Sequence, residues 1–239
     1  AHKYPDMGEP GPAIDFIGEC LRWWDHWLKG RDTGIDQEPM LRAWVQESVQ
    51  PSPRHHYRPG RWVGERQWPS PNVTAQPLQL ALGRLDSLEA PEQPAALTVQ
   101  SPLSVGFFAG KWCSYAAGPD MPHDQREEDG GALVFDTDPL EEDLELLGAP
   151  EVELELACNR PNGMVAVRLS DVGVDGKATR CTYGLLNLNH HRGHDRPEAL
   201  TPGERYRVRV QLNDLGHRFS AGHSLRLSVS TSYWPLAWP

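Results

Sequence analysis

The chain has 239 residues, of which 38% are hydrophobic and nine are tryptophan, and its formal net charge is −10. This composition supplies a real hydrophobic core and excludes a disordered chain. The negative charge disfavours a nucleic-acid partner, because no basic stripe is present to displace counterions from phosphates.

The first predicted element is a helix over residues 11–30. Apolar side chains recur there at helical spacing and form a wide stripe: Ile14, Ile17, Leu21, Trp23, Trp24, Trp27 and Leu28. Pro12 suits a first helical turn, and Lys29 followed by Gly30 is typical of a helix C-terminus. We therefore expect this helix to bury a wide face.

Beyond residue 40 the sequence predicts an all-β domain. Short apolar runs alternate with Pro- and Gly-rich loops, as such a domain requires. The candidate strands here are residues 41–45, 78–82, 132–136, 151–157, 164–171 and 179–188. Pro69 and Pro71 should limit strand pairing in residues 61–72. Residues 91–131 have weak periodicity, and a loop of that length is usually functional or disordered.

The clearest strands lie in the last forty residues. Apolar and polar side chains alternate in two runs, residues 206–212 and 225–230. Such alternation makes a strand with one face in a core and the other in water. The residues between them that include Phe219, Gly222 and His223 predict a corner that turns the chain into the next strand.

Two stretches carry a resemblance to a known family: HKYPDMGEPGPAIDFIGECLRWWDHWLKG at residues 2–30 and GHSLRLSVSTSYWP at residues 222–235. They resemble the C-terminal part of the X-Pro dipeptidyl-peptidase and cocaine-esterase family of serine hydrolases. The match is looser over residues 51–111. The resemblance implies a mainly β fold, a galactose-binding-domain-like jelly-roll β-sandwich preceded by one α-helix left from an α/β-hydrolase domain.

The resemblance also implies a domain division. Residues 1–35 would be the C-terminal remnant of the catalytic α/β-hydrolase domain, and residues 36–239 the jelly-roll domain. Both ends look cut, and the jelly roll looks truncated at its C-terminus. The main expected partner is therefore the missing N-terminal α/β-hydrolase domain, with residues 91–131 as the segment expected to face it.

His2 is the one candidate catalytic residue. The resemblance implies that it is the triad histidine, the general base that takes a proton from a serine hydroxyl and returns it to the leaving group. Its partner serine and aspartate would precede it, outside this chain. No GxSxG elbow is present, and Ser48, Ser104 and Ser170 lack that context. The parent protein is thus expected to hydrolyse small ester or amide substrates, X-Pro dipeptide bonds among them, and this chain alone to be inactive.

Neither a metal nor a cofactor is expected. The loop histidines His190, His191 and His194 spell HHRGH, which lacks the HExxH spacing, so a solvated loop is preferred over a metal site. His217 and His223, further along, are the other histidines that could contribute to such a metal site. The cysteines have no CxxC pair and are expected to be free thiols in a reducing compartment: Cys20, Cys113, Cys158 and Cys181.

Two acidic stretches have structural interpretations. In GPDMPHDQREE, residues 118–128, we expect Asp124 and Arg126 to pair and order the loop rather than act as a glycosidase site. The carboxylates of residues 136–143 are expected to form a solvated acidic turn, with a low-affinity calcium site as the alternative. His26 is expected to pack or cap within the Trp-rich helix.

Two other functional classes remain open. Jelly rolls often bind sugars through aromatic side chains, so a carbohydrate-binding module is the alternative function. The tryptophans that could serve it are expected to be packed in a core or between domains instead: Trp62, Trp68, Trp112, Trp234 and Trp238. A structural or oligomerisation domain is the second, because an uncovered helix face should promote homo-oligomers. No apolar run could cross a bilayer and no signal peptide is visible, so no membrane partner and a cytoplasmic location are expected.

Overall fold

A computed structural model describes residues 6, 8, 10–91, 96–112 and 120–238. The chain divides into two compact units, one of residues 1–47 and 55–75 and the other of residues 48–54 and 76–239. The domain boundary after residue 35 stays a prediction. Within the described residues, no helix is long and apolar enough to cross a membrane.

The first unit contains helix α1, Phe16–Lys29. The Asp15 side chain caps its N-terminus by accepting from the Gly18 amide at 2.9 Å, and Gly30 ends it with a φ of 62°. The predicted C-terminus is confirmed. The predicted start at residue 11 is wrong, because Gly11 has a φ of 121° and Pro12 lies ahead of the cap.

An antiparallel pair completes this unit, formed by β1 (Leu41–Glu47) and β2 (Gly60–Glu65). Trp44 lies opposite Trp62, with ring centroids 5.5 Å apart in an edge-to-face arrangement. The predicted first strand is confirmed and runs two residues further. The limit expected from Pro69 and Pro71 applies only after β2, which ends before either proline.

The second unit is a β-sandwich with a short helix, α2 (Arg126–Asp129). Its strands are β3 (Leu78–Ala81), β4 (Arg84–Ser87), β5 (Leu133–Asp136), β6 (Leu144–Gly148), β7 (Glu151–Ala157), β8 (Met164–Val172), β9 (Ala178–Asn187), β10 (Arg205–Gln211), β11 (Leu215–Phe219) and β12 (Ser224–Ser230). One sheet has six strands in the order β3-β4-β5-β12-β8-β9. Facing it are the antiparallel pairs β7–β10 and β6–β11.

The core lies between these layers and confirms the predicted jelly-roll sandwich. Val165, Val167 and Leu169 of β8 pack in it against apolar residues of β10, β11 and β12. On the other side of β8, Met164 and Ala166 pack with three buried residues from outside the strands: Val105, Ala109 and Tyr233. Strand β8 is thus covered on both faces, which explains its nearly unbroken burial. The alternation predicted for β7 and β10 is confirmed.

Three strands of the second unit escaped the sequence analysis: β4, β6 and β11. Their sequences are RLDS, LELLG and LGHRF, which are short and carry charged or glycine residues. Each is nevertheless paired with a neighbouring strand, β4 with β3 and β5, and β6 with β11, and this tertiary pairing overrides the weak local preference of such segments. The predicted corner at residues 219–223 begins one residue late, because Phe219 still belongs to β11 and is fully buried.

Candidate functional site

The apolar face of α1 is open. Contrary to the expected wide buried face, no residue of α1 is buried. Its large side chains are all exposed: Phe16, Ile17, Leu21, Trp23, Trp24, Trp27 and Leu28. Other side chains of the helix are engaged, since Arg22 contacts Glu19 at 2.6 Å and Glu38 at 2.5 Å. An exposed apolar stripe of this size is typical of an interaction surface.

His2 lies outside the described residues, as does Cys113. The assignment of His2 as the triad base therefore stays a prediction. Among the histidines that are described, His26 packs edge-on against the Trp27 ring with centroids 4.7 Å apart, in agreement with a packing role. Cys20 and Cys158 are free thiols, as expected, and the Cys181 thiol donates to the carbonyl of Thr179 at 3.5 Å.

None of the three weighed serines has the geometry of a nucleophile. The Ser48 hydroxyl donates to the Asp171 carboxylate and lies 3.0 Å from the carbonyl oxygen of Arg218. Ser170 is buried with a hydroxyl that has no partner among the described residues, and Ser104 is exposed. A serine nucleophile needs an imidazole or similar base at its hydroxyl, and none of the three has an imidazole there among the described residues.

Asp171 is the centre of a polar cluster that the sequence analysis missed. His217 Nε2 lies 3.0 Å from Oδ2 of Asp171, and His223 Nδ1 lies 2.7 Å from Oδ1. With Ser48, these residues come from four separate parts of the second unit. The carboxylate and the His217 ring are almost fully buried. A usable signal was the alternation in β11, which places His217 on the same inward face as Phe219.

Two opposing effects set the pKa of Asp171. Burial raises it, while the hydrogen bonds from His217, Ser48 and His223 lower it, and the net result is a pKa below the ordinary value of 3.8. The group is therefore a carboxylate at neutral pH and a poor proton acceptor. This cluster is suited to holding the sandwich together and unsuited to general-base catalysis.

Residues 96–112 and 120–131 form a cover on the six-stranded sheet. The buried Glu128 carboxylate accepts from the amides of Gly106 and Phe108. Gln125, fully buried, donates to the carbonyls of Phe108 and His123 at 3.0 and 2.9 Å. The Tyr233 hydroxyl donates to Gln125 Oε1 at 3.1 Å. These buried side chains replace the regular strand pairing that the sequence of this segment lacks.

A cleft of about 510 Å³ opens in this cover, and we call it the Phe107 cleft. Its polar and aromatic lining consists of Ser104, Phe107, Phe108, His123, Glu127 and Glu128. The volume lies in the range of small-molecule sites. The cleft belongs wholly to the second unit.

The predicted Asp124–Arg126 pair is present. Nε and Nη2 of Arg126 contact Asp124 Oδ2 at 2.9 and 2.7 Å, and Asp124 Oδ1 accepts from the amide of Ala178 at 3.1 Å. The pair thus ties the end of the cover to β9. Its role is to order the loop, as expected from the sequence.

Four carboxylates of the predicted acidic turn are exposed, as expected, but three of its five carboxylates are paired with arginines. Asp136 receives two hydrogen bonds of 2.7 Å from Arg226, Asp138 pairs with Arg84, and Asp143 pairs with Arg218. Arg226 also contacts Asp129 at 3.0 Å, and these carboxylates raise its pKa further above the ordinary arginine value. The sequence hid these pairs because their arginines lie on distant strands.

The five histidines weighed for metal binding separate into two places. His190 and His194 share a short contact of 2.8 Å between their Nδ1 atoms in an exposed loop, and His191 Nδ1 lies 2.9 Å from the carbonyl of Leu188. His217 and His223 belong to the Asp171 cluster instead. The described part of the chain holds no group of three or more metal-ligating side chains.

The tryptophans named as possible ligand contacts are all exposed: Trp62, Trp68, Trp112, Trp234 and Trp238. They therefore form no core within this chain, and the other half of the expectation, packing between domains, stays a prediction. Trp234 and Trp238 stack with centroids 4.2 Å apart and planes 21° from parallel. Their exposure leaves aromatic surface on the second unit.

Comparison with known proteins identifies relatives of this chain. A provisionally named serine esterase of Mycobacterium bovis is 28% identical over an alignment covering 95% of this chain and 37% of the relative. The cocaine esterase of a Rhodococcus species is 21% identical, with 89% of this chain and 37% of the relative covered. The chain thus spans little more than a third of their length.

The fold has solved counterparts. The crystal structure of a CocE/NonD family hydrolase from Staphylococcus aureus superposes with a TM-score of 0.62 at 15% identity, covering 91% of this chain and 38% of that one. A family profile described as the X-Pro dipeptidyl-peptidase C-terminal non-catalytic domain matches residues 33–239. The chain therefore belongs to the family of C-terminal non-catalytic domains of X-Pro dipeptidyl-peptidases.

Proposed function

We propose that this chain is the C-terminal part of a serine hydrolase that cleaves ester or amide bonds, X-Pro dipeptide bonds being one candidate class. The observation that carries the proposal is the family match over residues 33–239 together with relatives named as esterases and dipeptidyl-peptidases. In this proposal the sandwich supports a catalytic α/β-hydrolase domain and walls its substrate cleft.

The exposed stripe of α1 supports the same proposal. The helix precedes the matched domain, yet it is included in the alignment that covers 95% of this chain. A helix with seven exposed large apolar side chains has no reason to accompany a sandwich unless another surface covers it. We assign that surface to the catalytic domain, with His2 just before the helix as the triad base.

Labelling with a fluorophosphonate probe, read by intact mass, tests the proposal on this chain and on the longer protein that contains it. We expect the longer protein to be labelled and this chain to stay unlabelled, because none of its weighed serines has an imidazole at its hydroxyl among the described residues. Labelling of this chain would reveal a nucleophile within it. Absence of labelling in both would contradict the hydrolase proposal.

The role of His2 is tested in the longer protein by His2→Ala, with His194→Ala as the matched control in an exposed loop. Loss of a general base typically lowers the rate by at least about a hundredfold. We expect this loss for His2→Ala and an unchanged labelling rate for His194→Ala. Equal rates for the two variants would remove His2 from the proposed triad.

A second candidate, a carbohydrate-binding module, is favoured by one observation, the stacked and exposed pair Trp234 and Trp238. Aromatic faces of this kind offer a large contact area at low entropic cost. Micromolar glycan binding by this chain that Trp238→Ala abolishes would support the module. Binding that survives this change but is lost in Trp112→Ala or Trp62→Ala would move the sugar site to another exposed tryptophan.

A further inference from the structure

The Phe107 cleft is a built feature of the second unit. Its backbone is fixed by consecutive tight turns, with the Ala109 amide donating to the Gly106 carbonyl at 2.8 Å and the Phe107 amide to the Ser104 carbonyl at 3.1 Å. The buried Glu128 carboxylate holds the amides on either side of Phe107. The loop is therefore rigid where it presents its side chains.

The aromatic part of the cleft faces solvent. Phe107 is 70% exposed although its own backbone is fixed, so its ring is not part of the core. Phe108 lies beside it and packs edge-on against His123, with ring centroids 5.3 Å apart. Aromatic faces carry negative quadrupole charge and attract cations as well as apolar groups.

The charged side chains that line the Phe107 cleft are carboxylates. Two carboxylates line it, Glu127 and Glu128, and no Lys or Arg is among the described lining residues. The Glu128 carboxylate is stabilised by its two backbone donors, whereas the Glu127 side chain is exposed and makes no hydrogen bond or ion pair within the described chain. The adjacent Arg126 is already committed to Asp124. The free carboxylate of Glu127 is thus available to a ligand.

We propose that the Phe107 cleft binds an organic ammonium ion that carries an apolar group. The Glu127 carboxylate would accept hydrogen bonds from the ammonium, and the Phe107 and Phe108 rings would contact both the cation and its apolar body. Anions are disfavoured because the cleft offers them no positive charge. The inference rests on this lining alone and is independent of the hydrolase proposal.

Three probes that share one ring and differ in charge test it on the full chain: 2-phenylethylammonium, 2-phenylethanol and phenylacetate. Binding is followed by backbone amide resonances of Phe107, Phe108, Gly130 and Gly131. We expect the ammonium to bind about fivefold or more tightly than the alcohol, and phenylacetate to bind weakest. Equal binding of ammonium and alcohol, tighter binding of phenylacetate, or no shift with any probe would overturn the proposal.

Variants separate the two contacts. Glu127→Gln should reduce the ammonium affinity to that of the alcohol, while Phe107→Leu should weaken it several-fold by removing the ring but keeping apolar area. Glu142→Gln, a change of an exposed carboxylate outside the cleft, is the matched control and should have no effect. Both cleft side chains are exposed, so these variants should fold, and unchanged thermal unfolding checks it. An unaltered affinity in Glu127→Gln would contradict the site.

Discussion

Asp171 is a buried carboxylate whose hydrogen-bonding capacity is used inside the sandwich by Ser48, His217 and His223. Asp171→Asn removes the negative charge and replaces one acceptor oxygen with an NH2 group. This new donor would face the groups that now donate hydrogen bonds to the carboxylate. We expect the free energy of unfolding at neutral pH to fall by about 2–4 kcal/mol, the usual cost of breaking a buried charged network. Urea unfolding measures it.

The control is Asp214→Asn, which changes an exposed aspartate with no hydrogen bond or ion pair in the described chain. Its effect should stay within about 0.5 kcal/mol. If both variants unfold at the same urea concentration, the Asp171 cluster contributes nothing to stability.

The same cluster predicts a pH dependence. The folded pKa of Asp171 lies below its unfolded value, so its stabilising contribution is complete above the unfolded value of about 3.9 and is lost as pH falls through the folded pKa. The stability gap between the wild type and Asp171→Asn should therefore narrow below about pH 4. Urea unfolding from pH 6 to pH 3 follows it, and a gap that widens in acid would reverse the sign.

For single residues, the sequence indicates which residues are of interest better than it predicts their hydrogen-bond and ion-pair partners. His217 and His223 attracted attention as possible ligands, but Asp171 did not, since an aspartate at the end of an apolar strand has no distinctive local pattern. The Asp124–Arg126 pair was predictable because its members are two residues apart. The Asp136–Arg226 pair was not, because only the pairing of β5 with β12 brings them together.

In strands β7 and β10 the two faces contribute differently to the stability of the sandwich. Their outer face carries three exposed ion pairs, among them Arg207–Glu153, while Val208 on β10 is buried in the core. Val208→Ala should lower the free energy of unfolding by about 2 kcal/mol through lost burial and the cavity left behind. Arg207→Ala should cost less than about 1 kcal/mol, because water and salt screen exposed pairs.

Chemical denaturation of both variants measures the contrast. A larger loss for Arg207→Ala would mean that the ion-pair ladder, rather than the apolar face, holds β10 in place. The alternation of apolar and polar side chains that predicted these two strands also separates their core face from their ion-paired face. Strands β4 and β6 lack this alternation, and only their pairing with neighbouring strands identifies them.

At the scale of the whole molecule, period-two alternation predicted a mainly β chain, and the resemblance to a known family implied the jelly roll. The cover formed by residues 96–112 and 120–131 was not predictable in this way. Its order depends on buried Glu128 and Gln125 contacting backbone groups about twenty residues away, and no periodicity reports such contacts.

The exposed stripe of α1 leads to a prediction for the isolated chain, which we expect to self-associate at micromolar concentrations because large apolar patches promote association. Leu21→Glu combined with Trp24→Glu should restore a monomer of 26.8 kDa without lowering stability, since both side chains are exposed. Val174→Glu, which changes an exposed apolar residue of the second unit, should leave association intact. Light scattering decides: a wild-type chain that is already a monodisperse monomer would show that the helix needs no cover, and would weaken its assignment as a surface for the catalytic domain.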